Sequence, residues 1–323
     1  MDNLTHTLTG VLLARAGLGK LSPRATWIAA LAANIPDIDV VSLAGGPTAY
    51  LLYHRWATHA IVFVPLMAIL PVLIVAALFR AKLPWFKAWL VSLVAVASHL
   101  LLDFTNPYGI RLWLPFSDDW PSLDITNVVD LWIWVILLVG CFWPLLSGLV
   151  GSEIGSKAKP GQGTAIAALI AIALYDGARF ISHRSATDTL QTRVYEGAAP
   201  RKTFLFPHFA NPMRWDGWVE TERSWQLVRV DMAQEEFDPE PLRMAWKAEE
   251  QPAMAVARQL PVFQVMQKFA RTPLWRVTPS AGVPDADLVE LIDLRFGRGE
   301  QNGFRATAVV DKTGRVIESG FQF

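Results

Sequence analysis

Histidine and aspartate residues cluster near the start of the chain, where few other charged residues occur. Four of the six histidines fall within the first 100 residues, and carboxylates lie near them in the sequence. Imidazole and carboxylate groups together form the ligand set of zinc, manganese and iron sites in proteins. We predict a shared metal site that draws on seven residues: His6, Asp37, Asp39, His54, His59, His99 and Asp103.

The spacing of these residues indicates how they could meet. His99 and Asp103 are four residues apart, so a helix would place them on one face. Pro36 ends an apolar segment and predicts an irregular turn at which Asp37 and Asp39 converge. An alternative for His99 and Asp103 is a structural role, in which the two side chains satisfy each other at a helix interface.

Hydrolysis is the chemistry that such a site would support. A bound metal ion lowers the pKa of a water molecule towards neutrality. Two ions about 4 Å apart can hold both the attacking and the leaving oxygen of a phosphoester. Either Asp37 or Asp103 could bridge such a pair, so the sequence leaves one or two ions open.

Catalytic roles beside the metal are predicted for Asp37, Asp39, Arg55 and Asn106. Asp39 could instead orient a metal-binding histidine. Arg55 either recognises an anion through its paired N–H donors or extends to the membrane interface. Asn106 begins the turn sequence Asn-Pro-Tyr-Gly, which could bring its side chain near the metal.

The elements that carry these residues are predicted to lie in a membrane. Residues 1–181 contain about 12% charged side chains, whereas residues 182–323 contain about 26%, the usual share for a water-soluble domain. Four apolar runs are long enough to span a bilayer or nearly so, and two shorter apolar segments precede them. The long runs are 61–79, 88–102, 131–152 and 160–175, and the short segments are 4–16 and 25–41. The alternative is a buried all-α core of a soluble protein.

The basic residues predict the orientation of these spans. Three links between apolar segments carry lysine and arginine, which favours the cytoplasmic side. The residues concerned are Arg15, Lys20, Arg24, Arg80, Lys82, Lys87, Lys157 and Lys159. The metal ligands and the C-terminal domain would then lie on the extracytoplasmic side. The first residues lack a basic stretch, so we do not expect a cleaved signal peptide.

The second part of the chain predicts a small α+β domain with an antiparallel sheet. Alternating stretches indicate strands at 215–221, 225–231, 287–296, 304–310 and 316–321, and residues 252–270 are expected to be helical. The sequence Asp-Lys-Thr-Gly at 311–314 predicts a hairpin turn. His183 and His208 lack carboxylates at ligand spacing, so structural roles are predicted for them, and 206–212 is expected to be a loop. The predicted domains are thus 1–181 and 182–323.

Five sequence motifs in order resemble those of the YdjM-like membrane-bound metal-dependent hydrolases, a bacterial inner-membrane family. They are MDNLTHTLTG at 1–10, NIPDID at 34–39, HRWATHA at 54–60, SHLLLDFTNPYG at 98–109 and RLWLPFSDDW at 111–120. The family is similar to zinc-dependent phospholipase C and the single-strand zinc nucleases. That relation implies zinc as the metal and implies, as ligands, His6, Asp37, His54 or His59, His99 and Asp103.

The combined prediction is an all-α polytopic membrane domain that hydrolyses a phosphoester, with a lipid as one candidate substrate, followed by the α+β domain. Zero net charge argues against a nucleic-acid partner, and a single cysteine excludes an intramolecular disulfide. Two other functions stay open: a transporter or proton relay that uses the His/Asp cluster, and a non-catalytic sensor or scaffold stabilised by the metal.

Overall fold

The structure is a computed structural model that describes residues 1–153, 161–234, 240–297 and 303–323. The chain divides into two compact units. The first contains Met1–Asp39 and Arg55–Ile181, and the second contains Val40–His54 and Ser182–Phe323. The division between Ile181 and Ser182 falls within the helix Gln162–Gln191.

All the regular secondary structure of the described residues up to Gln191 is helical. The helices are α1 (Asn3–Ala16), α2 (Ala25–Ala32), α3 (Pro47–Tyr53), α4 (Val64–Met67), α5 (Ile69–Phe79), α6 (Trp85–Thr105), α7 (Leu131–Glu153) and α8 (Gln162–Gln191). Helix α3 belongs to the second unit and the others to the first, apart from the end of α8. Asp2 caps α1, because its carboxylate accepts hydrogen bonds from the backbone N–H groups of Leu4 and Thr5.

Three helical stretches are long and apolar enough to cross a membrane: Ile61–Phe79, Trp85–Thr105 and Gln162–Gln191. A fourth forms if α2 and the 3-10 stretch Ile35–Gly45, which are bent by 41° relative to each other, count as one broken span. The predicted apolar segment 25–41 is this bent pair. The predicted span 131–152 lies in α7, of which Leu131–Pro144 qualifies only as a shorter apolar helix. The described chain therefore has a helical region with three to four candidate spans.

Two clusters of buried side chains hold the first unit together. One joins α1, α2, α5 and α6 and includes Ile28, Val72 and Val91. The other joins α1, α6, α7 and α8 and includes Leu12 and Ile133. Helix α1 takes part in both clusters and α6 passes through both, so these two helices form the framework on which the polar site is built. The basic residues Lys157 and Lys159, used above to predict orientation, lie outside the described residues.

The C-terminal part contains two antiparallel four-stranded sheets. The first has the order β1 (Lys202–Pro207), β2 (Arg214–Glu220), β3 (Ser224–Asp231) and β4 (Arg243–Trp246). The second has the order β5 (Pro273–Pro279), β6 (Ala286–Asp293), β7 (Arg305–Asp311) and β8 (Val316–Gln322). Helices α9 (Pro252–Arg258) and α10 (Pro261–Phe269) contact the second sheet. Trp225 of β3 is buried between side chains of both sheets, and its indole donates to the carbonyl of Pro273.

Several predictions about this part need correction. Strands β1, β4 and β5 were not predicted, and Phe206 and Pro207 belong to β1 rather than to a loop. The predicted helix 252–270 is two helices, because Pro261 starts a new helix after Leu260 has adopted extended backbone. The strand expected to reach Phe296 ends at Asp293, where a 3-10 turn begins. The predicted turn at 311–314 is confirmed, since the N–H of Gly314 donates to the carbonyl of Asp311.

Candidate metal centre

Three separate segments of the first unit deliver the side chains of the candidate metal centre. Helix α6 presents His99 and Asp103 one turn apart, as their spacing predicts. A short 3-10 turn, Ala57–His59, contributes His59. The 3-10 stretch Ile35–Gly45, which the structure has where an irregular turn was predicted, contributes Asp37. These four side chains form a group that could hold a metal ion.

The distances between the four donor atoms fit a single metal position. The Nε2 atoms of His59 and His99 lie 3.1 Å apart. Oδ2 of Asp103 lies 3.3 Å from the first of them and 3.4 Å from the second. Oδ1 of Asp37 lies 3.6 Å from each. A tetrahedral zinc ion with bonds of about 2.0 Å separates its ligand atoms by about 3.3 Å, and these five distances lie near that value.

Hydrogen bonds on the far sides of the two imidazoles determine their tautomers. Nδ1 of His99 lies 2.7 Å from the carbonyl oxygen of Ala33, which can only accept. The hydroxyl of Thr58 donates to Asp39 and lies 3.0 Å from Nδ1 of His59, so that nitrogen donates to the hydroxyl. Neutral rings held in this way carry their N–H at Nδ1 and turn the lone pairs of Nε2 towards each other. With these tautomers the two Nε2 atoms, 3.1 Å apart, are both acceptors, and a metal ion between them would satisfy both.

Unsatisfied buried groups also fit a bound metal. Among the residues that the structure describes, Oδ2 of Asp103 has no hydrogen-bond partner, although the side chain is fully buried. Its other oxygen, Oδ1, is contacted by Arg55, by the amide of Asn106 and by the amino group of Met1. A buried carboxylate oxygen without a partner is costly, and coordination of a cation is one way to satisfy it.

His6 lies beside the group of four. Its ring stacks on that of His99 with 3.8 Å between the ring centres, and its Nε2 lies 3.4 Å from Oδ1 of Asp103. Neither ring nitrogen forms a hydrogen bond to any of the described residues. The structure thus brings His6 to the edge of the cluster, next to the oxygen of Asp103 that faces away from the other imidazoles.

Asp39, Arg55 and Asn106 surround the ligands. Oδ2 of Asp39 lies 3.2 Å from Nδ1 of His59, on the side away from the metal position. This arrangement corresponds to the second of the two roles considered for Asp39, the orientation of a histidine. Arg55 is 4% exposed and contacts both Asp103 and Asn106, so it points into the protein rather than towards a membrane surface.

The structure does not bring His54 into the group of four. Its ring stacks on Tyr50 of α3, with 4.5 Å between the ring centres, and it belongs to the second unit. His183 lies 3.3 Å from the carbonyl oxygen of Leu205, through Nε2, and its ring meets the edge of Trp215. These rings therefore have other neighbours. The metal-ligand prediction for His54 receives no support from its placement.

Thr58 and the carbonyl of Ala33 are among the contributors to the site that were not found in the sequence. Thr58 precedes His59 and could have been suspected, because a hydroxyl beside a ligand is a common orienting group. The carbonyl of Ala33 could not have been found, because any residue supplies a carbonyl group.

Nearby, Arg111 is buried over the ring of Trp120 and pairs with Asp118 at 3.4 Å. Burial lowers the pKa of this arginine, and Asp118 partly opposes that effect.

Comparisons with known proteins agree with the motifs. A family model described as "YdjM inner membrane protein" matches residues 1–186. The chain is 33% identical over 147 residues to "uncharacterized protein YfhP" of Bacillus subtilis (strain 168). The matched region covers 42% of this chain and 43% of that protein. It is 30% identical over 169 residues to "inner membrane protein YbcI" of Escherichia coli (strain K12). This match covers 43% of this chain and 95% of that protein.

The chain thus spans less than half of the length of the first of these relatives and nearly all of the second. No solved structure gives a significant match. The family model covers more than half of the chain, including every residue of the His/Asp cluster, and the apolar helices agree with a membrane location. The resemblance predicted from the five motifs is confirmed, and the chain belongs to the YdjM inner membrane protein family.

Proposed function

We propose that this membrane protein is a metal-dependent hydrolase that cleaves a phosphoester. The observation that carries the proposal is the pair of facing Nε2 atoms, 3.1 Å apart, with the unsatisfied Oδ2 of Asp103 beside them. His59, His99 and Asp103 would hold a divalent ion, for which zinc is our first choice because two imidazoles and a carboxylate form a common catalytic zinc site. Such an ion supplies a Lewis acid and lowers the pKa of a bound water.

Asp37 is assigned a different role from the other three. Its side chain is 15% exposed, whereas the others are fully buried, and its oxygen lies farthest from the imidazoles. We assign it to accept a proton from the attacking water, as an acid–base carboxylate does. The water oxygen would form a new bond to phosphorus, and the ester oxygen would leave with a proton as an alcohol.

A lipid is the substrate class that we favour. The protein lies in a membrane, and apolar side chains next to the site in sequence are exposed: Ile38, Trp56 and Ile61. An apolar surface at the entrance would let a phospholipid approach from the bilayer. Assays with the purified protein should compare phospholipid vesicles with a water-soluble phosphodiester. Equal turnover of both would contradict the lipid assignment and leave the hydrolase proposal standing.

A non-catalytic metal site is the second candidate, because Asp37 and the other three residues offer four donors, enough to close a tetrahedral site. Metal analysis of the wild type, Asp37→Asn and the double variant His99→Ala/Asp103→Ala separates the two. A hydrolase predicts metal in the wild type and in Asp37→Asn, no metal in the double variant, and activity in the wild type alone. Metal without hydrolysis of any phosphoester would favour the structural site, and a metal-free wild type would exclude both.

We also propose that the C-terminal domain lies on the extracytoplasmic side. The proposal rests on Arg80 and Lys82, which lie between two candidate spans, and on Lys87 in the first turn of the second; these residues favour a cytoplasmic link. It takes α7 as a further span, so that α6, α7 and α8 make three crossings between that link and the C-terminal domain. A reporter fused after Phe323 tests it. Activity of a reporter that works only in the cytoplasm would overturn this orientation.

A further inference from the structure

We propose that Arg55 is a positioning residue of the metal centre: by binding one oxygen of Asp103, it turns the other oxygen towards the metal. Arg55 would then not be the group that binds the substrate's phosphate. The proposal rests on the metal-dependent function given above. The sequence alone left Arg55 as a candidate for anion recognition, because guanidinium groups bind phosphate in pairs of hydrogen bonds. Its surroundings in the folded chain favour the other role.

The guanidinium of Arg55 is already engaged by the protein. Its Nη2 donates to Oδ1 of Asp103 at 3.1 Å, and its Nη1 donates to Oδ1 of Asn106 and to the carbonyl oxygen of Gly109, both at 3.2 Å. The group also lies 4.7 Å above the ring of Tyr108. With the residue only 4% exposed, a phosphate could reach these donors only by displacing their present partners.

The contact with Asp103 separates the functions of its two oxygens. Arg55, Asn106 and the amino group of Met1 contact Oδ1. Oδ2 faces the imidazoles of His59 and His99. A carboxylate that is held by one oxygen presents the other as a single ligand. Without Arg55, the carboxylate could rotate and offer both oxygens, or be left as a less compensated buried charge.

The backbone of Arg55 extends the same control to a second carboxylate. Its N–H donates to Oδ2 of Asp39 at 2.8 Å, and that oxygen lies 3.2 Å from Nδ1 of His59. Arg55 adopts a left-handed conformation with φ of 55°, which is uncommon for a residue with a side chain. One residue therefore contacts both the ligand Asp103 and the group that orients the ligand His59. Strained backbone of this kind is concentrated at functional sites.

The test compares Arg55→Gln with the wild type as full-length protein in detergent. Affinity for Zn²⁺ is measured by competition with a chromophoric chelator, without substrate, and the visible spectrum is recorded after loading with Co²⁺. We expect a loss of affinity of about 10- to 100-fold, the usual effect of removing an outer-shell partner. We also expect a changed Co²⁺ spectrum, because the coordination by Asp103 changes. Arg55→Lys, which keeps the charge, should recover part of the affinity.

Arg111→Gln is the matched control. Arg111 is also a buried arginine of the first unit, but it pairs with Asp118 and stacks on Trp120. Its removal should leave Zn²⁺ affinity and the Co²⁺ spectrum unchanged. If Arg55→Gln does not yield folded protein, Asn106→Ala removes one anchor of the guanidinium and should change both readouts in the same direction, by a smaller amount.

The possible outcomes separate this inference from the proposed function. A wild type that binds no metal defeats the proposed function and this inference with it. A wild type that binds metal, together with an Arg55→Gln variant of equal affinity and unchanged Co²⁺ spectrum, defeats only the inference. A raised KM for a phosphodiester in that second case would assign Arg55 to the substrate's anion.

Discussion

The two buried imidazoles of the cluster are oriented in the same way by different acceptors. His99 uses a backbone carbonyl, that of Ala33, and His59 uses the hydroxyl of Thr58 and the carboxylate of Asp39. A backbone acceptor cannot be removed by substitution, whereas a side-chain acceptor can. Substitution of Asp39 therefore tests directly whether its contact orients His59.

We expect Asp39→Asn to weaken Zn²⁺ binding by about 10- to 100-fold, because the amide is a poorer acceptor for Nδ1 of His59 and can present its NH₂ group instead. Chelator competition on the purified protein measures this change. Asp119→Asn is the control, since Asp119 is an exposed carboxylate of the same unit that contacts Ser117. Equal affinities for Asp39→Asn and the wild type would show that Asp39 does not orient the ligand.

Replacing each of the two histidines of the HRWATHA motif by alanine should affect the metal content of the protein very differently. His59→Ala removes one of the four donors of the group, so we expect metal to be lost from the purified protein. His54→Ala removes a ring that stacks on Tyr50, so we expect a metal content equal to that of the wild type. Elemental analysis of the two variants side by side checks the pair. Loss of metal in His54→Ala would return His54 to the ligand set.

At the scale of elements, the close approach of α1 and α2 supports the centre. A Cβ atom at Gly10 of α1 would lie 2.5 Å from the carbonyl oxygen of Ala29 in α2, which is closer than real Cβ contacts. Helix α2 leads to Ala33, whose carbonyl orients His99. Only glycine allows these two backbones to pack at this distance. This packing positions the segment that carries the carbonyl of Ala33 beside His99.

Gly10→Ala should therefore destabilise the protein by about 1–3 kcal/mol, because the obstructing atoms belong to the backbone and cannot move aside separately. Thermal unfolding in detergent measures the change. Gly177→Ala in α8 is the matched control, since nothing lies within 4 Å of the added Cβ, and it should be neutral or slightly stabilising. A Gly10→Ala variant as stable as the wild type would show that α1 and α2 can separate at little cost.

At the scale of the whole molecule, the chain combines a helical unit of low charge with a β-rich unit of ordinary charge. Glu196 provides a pH-dependent test within the β-rich unit. It lies in a tight turn with φ of 52°, and its Oε1 accepts hydrogen bonds from the hydroxyl of Ser224 at 2.7 Å and the amide of Gln226 at 2.9 Å. The bond from Ser224 is the main cause that lowers the pKa of Glu196 below its ordinary value.

A carboxyl group whose pKa is lower in the folded than in the unfolded state stabilises the fold above the unfolded pKa of about 4.3. That contribution is lost as the pH falls through the lowered, folded pKa. The unfolding midpoint of Glu196→Gln should therefore fall below that of the wild type at neutral pH, and the two should converge at acid pH. Glu318→Gln, on an exposed part of β8, is the control. A difference that grows on acidification would contradict the assignment.

Much of the architecture could be predicted from local composition. The apolar runs at 61–79 and 88–102 are found as helical stretches, and β2, β3, β7 and β8 lie close to their predicted positions. The strands β1, β4 and β5 were missed. These strands contain prolines or arginines, or are too short to show apolar and polar residues in alternation. Their formation therefore depends on pairing with neighbouring strands rather than on a pattern in their own sequence.

The sequence was sufficient to identify the candidate membrane helices, the family and the residue types of the candidate metal centre. Hydropathy and the four-residue spacing of His99 and Asp103 are local properties, which a helix converts directly into position. The placement of His59 rather than His54 in the group of four, the contact of Asp39 with His59 and the inward direction of Arg55 emerged only from the folded chain. Each lies in an irregular or 3-10 segment, where no periodicity relates sequence to direction and contacts with distant segments determine which way a side chain points.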